Sequence, residues 1–260
     1  MQRSNTYIII FSLALTVILG GLLSLASEGL RPAQKKAEEF AKKRQILSAV
    51  LDIKELEDIV AEYNSRISSF IVDANGELVE PTGPTGAMMK AEDVDIEKEF
   101  KKSAEERLYP VYRFHSKENP DVTEAYILAL YGKGLWNDIW GYIALETDMN
   151  TVAGIVFDHK GETAGLGARI TEKGVQERYK GKKIFADGGE VLSVNMLKGE
   201  NNKPEALDDH NINGLSGATI TAKGVNYMMI DYLNCYLPLI GKLKDDDAGF
   251  VSMLNSKKPM

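Results

Sequence analysis

The chain has 260 residues, of which 44% are apolar, enough to bury one sizeable core or two small ones. Its formal net charge of −7 argues against a nucleic-acid-binding protein, because that function needs a basic face to displace counterions from phosphates. Cys235 is the only cysteine, which excludes an internal disulfide and a cysteine-held iron–sulfur cluster or structural zinc. Any redox role therefore needs an organic cofactor.

Residues 7–26 carry no charged side chain and predict a membrane anchor. About 20 apolar residues, at about 1.5 Å each, cross a hydrocarbon core of about 30 Å. A cleaved signal peptide is the alternative, since the run ends in SLA, but the run exceeds the usual apolar core of about 7–15 residues. Arg3 precedes the run, whereas Arg31, Lys35 and Lys36 follow it. Counting positive charges alone would place the following domain in the cytoplasm.

Three further segments follow before the main run of strands. Residues 29–55 combine helix formers with apolar side chains at helical spacing and predict a helical stalk. The pair Asn75-Gly76 stands between two extended runs and predicts a tight hairpin turn. Segment 82–109 begins with proline and glycine and continues with charged residues of helical character. It indicates an elaboration outside the core of the domain.

Five extended segments follow between residues 109 and 197: YPVYRF, EAYILALYG, GYIALET, TVAGIVF and VLSVNML. Short polar or glycine-containing turns separate several of them and leave no room for crossover helices, which favours antiparallel pairing. The sequence therefore predicts an α+β fold with a twisted, mostly antiparallel sheet and flanking helices.

The usual motifs of catalytic sites do not occur in the sequence. There is no G-x-G-x-x-G behind a strand, no Walker A loop and no H-E-x-x-H. His115, His159 and His210 are scattered without metal-ligand spacing, so we expect them on the surface or in capping positions.

Two glycine-containing segments could line a ligand site. In KGLWNDIWG, a tryptophan ring could stack on a planar ligand, although a buried core pair of Trp136 and Trp140 is the commoner arrangement. In GETAGLGARI, three glycines let the backbone approach a neighbour closely, while Glu162 and Thr163 supply polar groups. A plain glycine loop is the alternative for this second segment.

The segment INGLSGATIT, residues 212–221, holds small and hydroxyl residues directly before a long amphipathic helix. Thr219 and Thr221 stand where an N-cap belongs, and a cap is the simplest interpretation. A helix start also exposes unpaired N–H groups and a positive dipole end, which suit a phosphate. The preceding Ser-Gly-Ala leaves the Thr219 hydroxyl open to a modifying enzyme and to a phosphate bonded directly to it.

LSGATIT resembles the flavinylation motif in which the last Thr of S/T-G-A-T receives FMN through a phosphoester bond. GLW and ETAGLG resemble the other landmarks of the same FMN-binding domain. With its anchor and length, the chain is similar to the C subunits of the sodium-translocating NADH:quinone oxidoreductase, most strongly from Gly134 to Tyr236. It departs from the family pattern at Asn213, where Asp is common, and at Ala164, where the loop has Pro.

The resemblance implies which residues bind the cofactor, and it implies no catalytic residue and no metal ligand. Thr219 would carry the FMN covalently. The other implied cofactor-binding residues are Ser216, Gly217, Ala218 and Thr221 beside it, and Glu162, Thr163, Leu166, Gly167 and Trp136 around the flavin ring system or ribityl chain.

The resemblance also implies a domain organisation. The expected parts are an anchor over residues 1–28, a helical stalk over 29–55, an N-terminal part of the soluble domain over 56–125 with the elaboration at 82–109, an FMN-binding core over 126–242 and a C-terminal tail over 243–260.

The implied function is that of an electron-carrier subunit in a respiratory complex that couples NADH oxidation and quinone reduction to sodium export. Such a chain is not catalytic with NADH on its own. Its expected partners are the other subunits of the complex, a flavin transferase during maturation and the membrane, with no nucleic acid. The family places the single-pass chain in the bacterial inner membrane with its soluble domain on the periplasmic side, against the charge count.

Two other functions remain open at this stage. One is the G subunit of the related ion-pumping ferredoxin:NAD oxidoreductase complex, which shares the anchor and the flavinylation motif but is usually shorter; segment 82–109 favours the C subunit. The other is an anchored scaffold domain without a cofactor, in which the motif is only a helix cap. Visible absorption separates the carrier from the scaffold, and co-purifying subunits separate the two complexes.

Overall fold

The computed structural model describes residues 5–55, 57–83, 86–245 and 248–255. The chain divides into two compact units, residues 1–42 and 43–260. The first unit contains most of helix α1 (Asn5–Ser48), which is long and apolar enough to cross a membrane, with a mean hydropathy of 2.6 over its most apolar window. Its large apolar side chains are exposed, as the predicted anchor requires. Residues 1–4, including Arg3, lie outside the described part.

The second unit begins with the end of α1. The helix continues through Pro32 and ends at Ser48, and Ile46 and Leu47 are fully buried in the second unit. The stalk predicted over residues 29–55 is therefore helical to residue 48, followed by a 3-10 turn at Ile53–Glu55.

Six antiparallel strands form the main sheet, in the order β2-β1-β3-β4-β5-β6. The strands are β1 (Ile67–Val72), β2 (Leu78–Val79), β3 (Tyr109–His115), β4 (Thr123–Lys133), β5 (Asp138–Glu146) and β6 (Val152–His159). The predicted turn at Asn75-Gly76 joins β1 to β2, and Gly76 has the positive φ of 68° that such a turn uses. Four of the five predicted extended segments correspond to β3–β6.

The fifth predicted segment, VLSVNML, forms only a two-residue strand. In it, β7 (Asn195–Met196) pairs in parallel with β8 (Asn211–Ile212) in a separate small sheet. Ser193 has a φ of 62°, a left-handed conformation that interrupts an extended run. The prediction of a full strand was wrong here because this local break is not visible in the hydrophobic pattern.

One further helix precedes β1, and the others follow in the chain: α2 (Ile59–Arg66), α3 (Ile96–Phe100), α4 (Lys173–Gln176), α5 (Thr219–Lys244) and α6 (Ala248–Asn255). Further 3-10 turns occur at Ala91–Asp93, Ala104–Glu106, Gly167–Thr171, Glu177–Tyr179 and Pro204–Ala206.

Two hydrophobic clusters surround the main sheet. The larger includes side chains of α5, among them Val225, Met229 and Leu233, together with strand residues such as Leu128 and Ile143. The smaller joins the end of α1 to strand side chains and to residues 91–94 of the predicted elaboration. Because α5 packs against the sheet along its length, its first turn is fixed relative to the loops at the ends of β4 and β6.

His115 and part of the predicted C-terminal tail are buried rather than exposed. His115, expected on the surface or in a cap, is buried because β3 is covered on both faces, and its Nε2 lies 2.7 Å from Ser68 Oγ. Within the predicted tail, residues 248–255 form α6, whose Phe250 and Leu254 are buried. Residues 246, 247 and 256–260 of that tail lie outside the described part.

Candidate functional site

The carboxylate of Glu162 joins the three segments that the sequence singled out. Its Oε2 accepts the hydroxyl hydrogen bond of Thr221 at 2.6 Å, and its Oε1 accepts the backbone N–H of Trp136 at 2.9 Å. Trp136 lies in the β4–β5 loop, Glu162 follows β6, and Thr221 lies in the first turn of α5. A single buried side chain therefore fixes these three segments to one another.

Two glycines provide the space for this buried carboxylate. A Cβ at Gly167 would lie 2.5 Å from Thr221 Oγ1 and would collide with Glu162 as well. A Cβ at Gly134 would lie 2.9 Å from Glu162 Cδ. Real Cβ atoms do not approach other atoms so closely, so both positions require glycine for the loops to pack around the carboxylate.

The environment of Glu162 favours its ionised form. Burial raises the pKa of the Glu162 carboxyl, but hydrogen bonds from the Thr221 hydroxyl and from the backbone N–H groups of Trp136, Asn137 and Leu135 outweigh that effect, so the pKa is lower than usual. Glu162 is therefore an ionised acceptor at neutral pH, and its bonds are of the stronger, charge-assisted kind.

Thr219 is the first residue of α5, and no side chain caps that helix. Ala218 is the N-cap, and its carbonyl accepts the first helical hydrogen bond from Ala222 N–H at 3.0 Å. The expectation that Thr219 or Thr221 caps the helix was wrong, because the Thr221 hydroxyl donates to Glu162 instead. The N–H groups of the first helical turn have no carbonyl acceptor within the helix and face the end where Thr219 lies.

Leu166 lies over the glycine that precedes this helix. Gly217 has a φ of 75°, and a Cβ there would lie 2.8 Å from Leu166 Cδ2. Leu166 ends a tight turn in which its N–H bonds to Thr163 O at 3.1 Å and Gly165 has a φ of 73°. The turn therefore brings the leucine side chain, which is 42% exposed, beside the Ser-Gly-Ala-Thr loop.

Comparisons with known proteins agree with this grouping of segments. Residues 134–234 match the family model described as FMN-binding domain. The C subunit of the Na(+)-translocating NADH-quinone reductase of Haemophilus ducreyi is 34% identical, over 85% of this chain and 85% of that protein. The chain belongs to this family of C subunits. The corresponding protein of Neisseria meningitidis serogroup A is 31% identical, over 94% of this chain and 96% of its own length.

A solved structure from the same family has the same fold. The crystal structure of the C subunit from Parabacteroides distasonis is 36% identical in sequence and superposes with a TM-score of 0.67. The match covers 81% of this chain and 96% of that one. The antiparallel sheet and helices are thus shared with a family member of known structure.

In this member of the C-subunit family, the ten predicted site residues fall into two groups. Those a ligand can reach are Trp136, which is 69% exposed, Leu166, Thr163, Ser216, Gly217 and the half-buried Thr219. Those enclosed by protein are Glu162, Gly167, Ala218 and Thr221. The alternative of a buried core pair of tryptophans is wrong for Trp136, because the β4–β5 loop carries its side chain outward, whereas Trp140 is half-buried.

The two departures from the C-subunit pattern fit the structure. Asn213 Oδ1 accepts hydrogen bonds from both Asn202 N and Asn202 Nδ2, each at 3.0 Å, and a carboxylate oxygen would accept the same two bonds. Ala164 is exposed and occupies the second position of the Thr163–Leu166 turn, where proline is also compatible. Neither substitution removes a contact of the site.

Sequence reasoning missed Arg178, Glu200 and Asn202, which hold the loop before Thr219. Arg178 donates to the carbonyls of two consecutive loop residues, and Glu200 lies beside Arg169 and Arg178. All three lie in polar segments without hydrophobic periodicity, so nothing in the sequence distinguished them from solvated surface residues.

Proposed function

We propose that this chain carries FMN bound through a phosphoester to Thr219 and is the electron-carrier subunit of a sodium-translocating NADH:quinone reductase. The observation that supports this most is the Glu162 carboxylate, which joins the three motifs. This carboxylate ties the first turn of α5, which begins uncapped at Thr219, to the loop of the exposed Trp136.

The residues at this end of α5 fit a phosphate group. The Thr219 hydroxyl would supply the bridging oxygen, and the unpaired N–H groups of the first helical turn would hold the remaining phosphate oxygens. The positive end of the helix dipole favours the negative charge of a phosphodiester. Exposed Ser216 and Gly217 add no bulk, so the hydroxyl is open to the flavin transferase that would attach the cofactor.

The exposed apolar side chains fit the other end of FMN. Leu166 and Trp136 present surfaces that a flat aromatic ring system would cover, and such contacts exclude water from it. Thr163 is exposed in the same turn as Leu166 and would offer a hydroxyl to a polar edge or to the ribityl chain. Bound FMN supplies one-electron and two-electron transfer. Glu162, Gly167, Ala218 and Thr221 would support these surfaces from beneath.

The proposed role in the complex follows the relatives, whose names describe subunits of Na(+)-translocating NADH-quinone reductases. In this role the chain relays electrons between other subunits, NADH is oxidised elsewhere, and the complex exports sodium. Residues 1–28 would cross the bacterial inner membrane once, and the α+β domain, with its sheet twisted in the usual sense, would face the periplasm. The core of the FMN-binding domain would extend over residues 126–242.

Flavin fluorescence in a denaturing gel tests the proposal. The full chain is produced in a host that carries the flavin transferase, as wild type and as the variants Thr219→Ala and Ser216→Ala. We expect a fluorescent band for wild type and Ser216→Ala and none for Thr219→Ala, because only Thr219 combines the open Ser-Gly-Ala approach with the helix start. A dark wild-type band would instead favour the cofactor-free scaffold.

A further inference from the structure

An arginine–glutamate cluster holds the loop that precedes Thr219. Arg178 Nη1 donates to two consecutive carbonyls of this loop, Asn213 O at 2.9 Å and Gly214 O at 2.7 Å. Hydrogen bonds from a charged guanidinium are stronger than those between neutral groups, and the planar group fixes the direction of both carbonyls. The loop is thus tied to the 3-10 turn Glu177–Tyr179.

Glu200 lies between Arg178 and a second arginine, Arg169. Its Oε1 lies 2.8 Å from Arg169 Nη2 and 3.7 Å from Arg178 Nη2. The adjacent Arg169 guanidinium is the main reason that the pKa of Glu200 lies below its usual value, with Ser216 and Arg178 adding to the effect. The carboxylate is therefore ionised beside the two arginines.

Arg169 connects this cluster to the other side of the site. It lies in the 3-10 helix Gly167–Thr171, which begins at the residue after Leu166. The side chains of Arg169, Glu200 and Arg178 are 24%, 25% and 26% exposed, so solvent screens their charges less than it would on an open surface. Arg169 Nε also bonds to Glu172 Oε2 at 3.2 Å, which restrains its guanidinium.

We infer that Arg169, Glu200 and Arg178 are positioning residues that hold the Leu166 turn and the Thr219 loop at a fixed separation and thereby orient the flavin ring. The inference rests on the proposed attachment of FMN to Thr219. A cofactor fixed to a protein at its phosphate end alone keeps the rotational freedom of its chain. A single ring orientation therefore requires that the attachment loop and the apolar ring surface do not move relative to each other.

Visible circular dichroism of the attached flavin tests this inference, because that signal depends on a fixed asymmetric environment around the ring. The full chain is purified in detergent from a host carrying the transferase, as wild type, Arg178→Gln, Glu200→Gln, Arg169→Gln, the double variant of Arg169 and Glu200, and the control Lys180→Gln. Lys180 is exposed near Arg178, and its ammonium makes no ion pair within the described residues. The flavin midpoint potential, the melting temperature and covalent FMN in a denaturing gel are measured on each.

We expect Arg178→Gln and Glu200→Gln to remain folded and to retain covalent FMN but to lose most of the visible circular dichroism and to shift the midpoint potential. Lys180→Gln should match the wild type. Because Arg169→Gln and Glu200→Gln break the same ion pair, their double variant should resemble either single variant. If Arg178→Gln fails to fold, Arg178→Lys replaces it, since lysine keeps the charge but has no second nitrogen to face Glu200 as Arg178 Nη2 does.

Folded, flavinylated variants with wild-type circular dichroism and midpoint potential would overturn the inference. Folded variants without covalent FMN would overturn it too, because the cluster would then serve recognition by the transferase rather than ring orientation. A wild-type chain without FMN would count against the proposed attachment itself, so the two failures are distinguishable.

Discussion

Replacement of Glu162 by alanine removes the acceptor that joins the three segments of the site. In the wild type the Thr221 hydroxyl and the backbone N–H of Trp136 donate to this carboxylate at 2.6 and 2.9 Å. Glu162→Ala leaves both donors without that acceptor. An unsatisfied buried donor costs about 1–3 kcal/mol, so two donors give about 2–6 kcal/mol. Water can reach the exposed Trp136 loop, so we expect a loss of about 2–4 kcal/mol in the free energy of unfolding.

The matched variant Glu162→Gln separates hydrogen bonding from charge. Its carbonyl oxygen can still accept from Trp136 N–H, and its amide group can donate to Thr221 Oγ1 once that hydroxyl turns. Only the charge-assisted part of the bonding is lost, and we expect a cost of about 0.5–1.5 kcal/mol. Gly134 and Gly167 leave the space for an isosteric side chain.

The lowered pKa of Glu162 gives this charge effect a defined pH dependence. A carboxyl whose folded pKa lies below its unfolded value, about 4.3 for glutamate, stabilises the fold fully at higher pH. That contribution is lost as the pH falls through the lower folded pKa. The stability difference between wild type and Glu162→Gln should therefore be constant near neutral pH and shrink below about pH 4.

Urea unfolding of the full chain in detergent, followed by tryptophan fluorescence, measures these differences. The chain has two tryptophans, and the backbone N–H of Trp136 donates directly to the Glu162 carboxylate. We expect the free energy of unfolding to decrease in the order wild type, Glu162→Gln, Glu162→Ala. A Glu162→Ala variant within about 0.5 kcal/mol of wild type would refute the claim that this carboxylate holds the site together.

Three further predictions concern the turn, the ring surface and the topology. Ala164→Pro should raise stability by about 0.4–1 kcal/mol in thermal unfolding, because it restricts the unfolded chain at a compatible turn position; a loss would show that the turn excludes proline. Leu166→Ala should shift the spectrum or midpoint potential of the flavin while covalent FMN stays, and an unaltered flavin would remove Leu166 from the ring surface. Protease added to intact spheroplasts should digest the domain after Glu28, whereas digestion only after lysis would place it in the cytoplasm.

The sequence predicted the main sheet because its signals are local. Extended apolar runs bounded by short turns mark β3–β6, and Asn75-Gly76 marks the turn between β1 and β2. The small parallel pair β7–β8 has no comparable signal, because two-residue strands are too short for periodicity and Ser193 breaks the run before β7. The length of a strand and the residue types of its flanking turns therefore decided whether it could be predicted.

The site was predictable as a set of segments but not as a set of contacts. The motifs indicated which loops meet, yet the bond from Thr221 to Glu162 spans 59 residues and depends on how α5 packs on the sheet. For the same reason Thr221 was mistaken for a helix cap. Its hydroxyl could have turned to the free N–H groups of the helix, but in the folded chain it donates to Glu162. The contacts of Arg178 and Glu200 likewise exist only after folding.

Tandem mass spectrometry of the peptide containing residues 213–223 tests the central claim most directly. The chain is purified from a host that carries the flavin transferase, and the fragment ions locate any added mass. We expect an adduct of the size of FMN on Thr219 and none on Ser216 or Thr221. In Thr219→Ala the adduct should be absent while the stability stays within about 0.5 kcal/mol of wild type, because the Thr219 side chain caps nothing. An unmodified wild-type peptide, or an adduct on Ser216 or Thr221, would contradict the account.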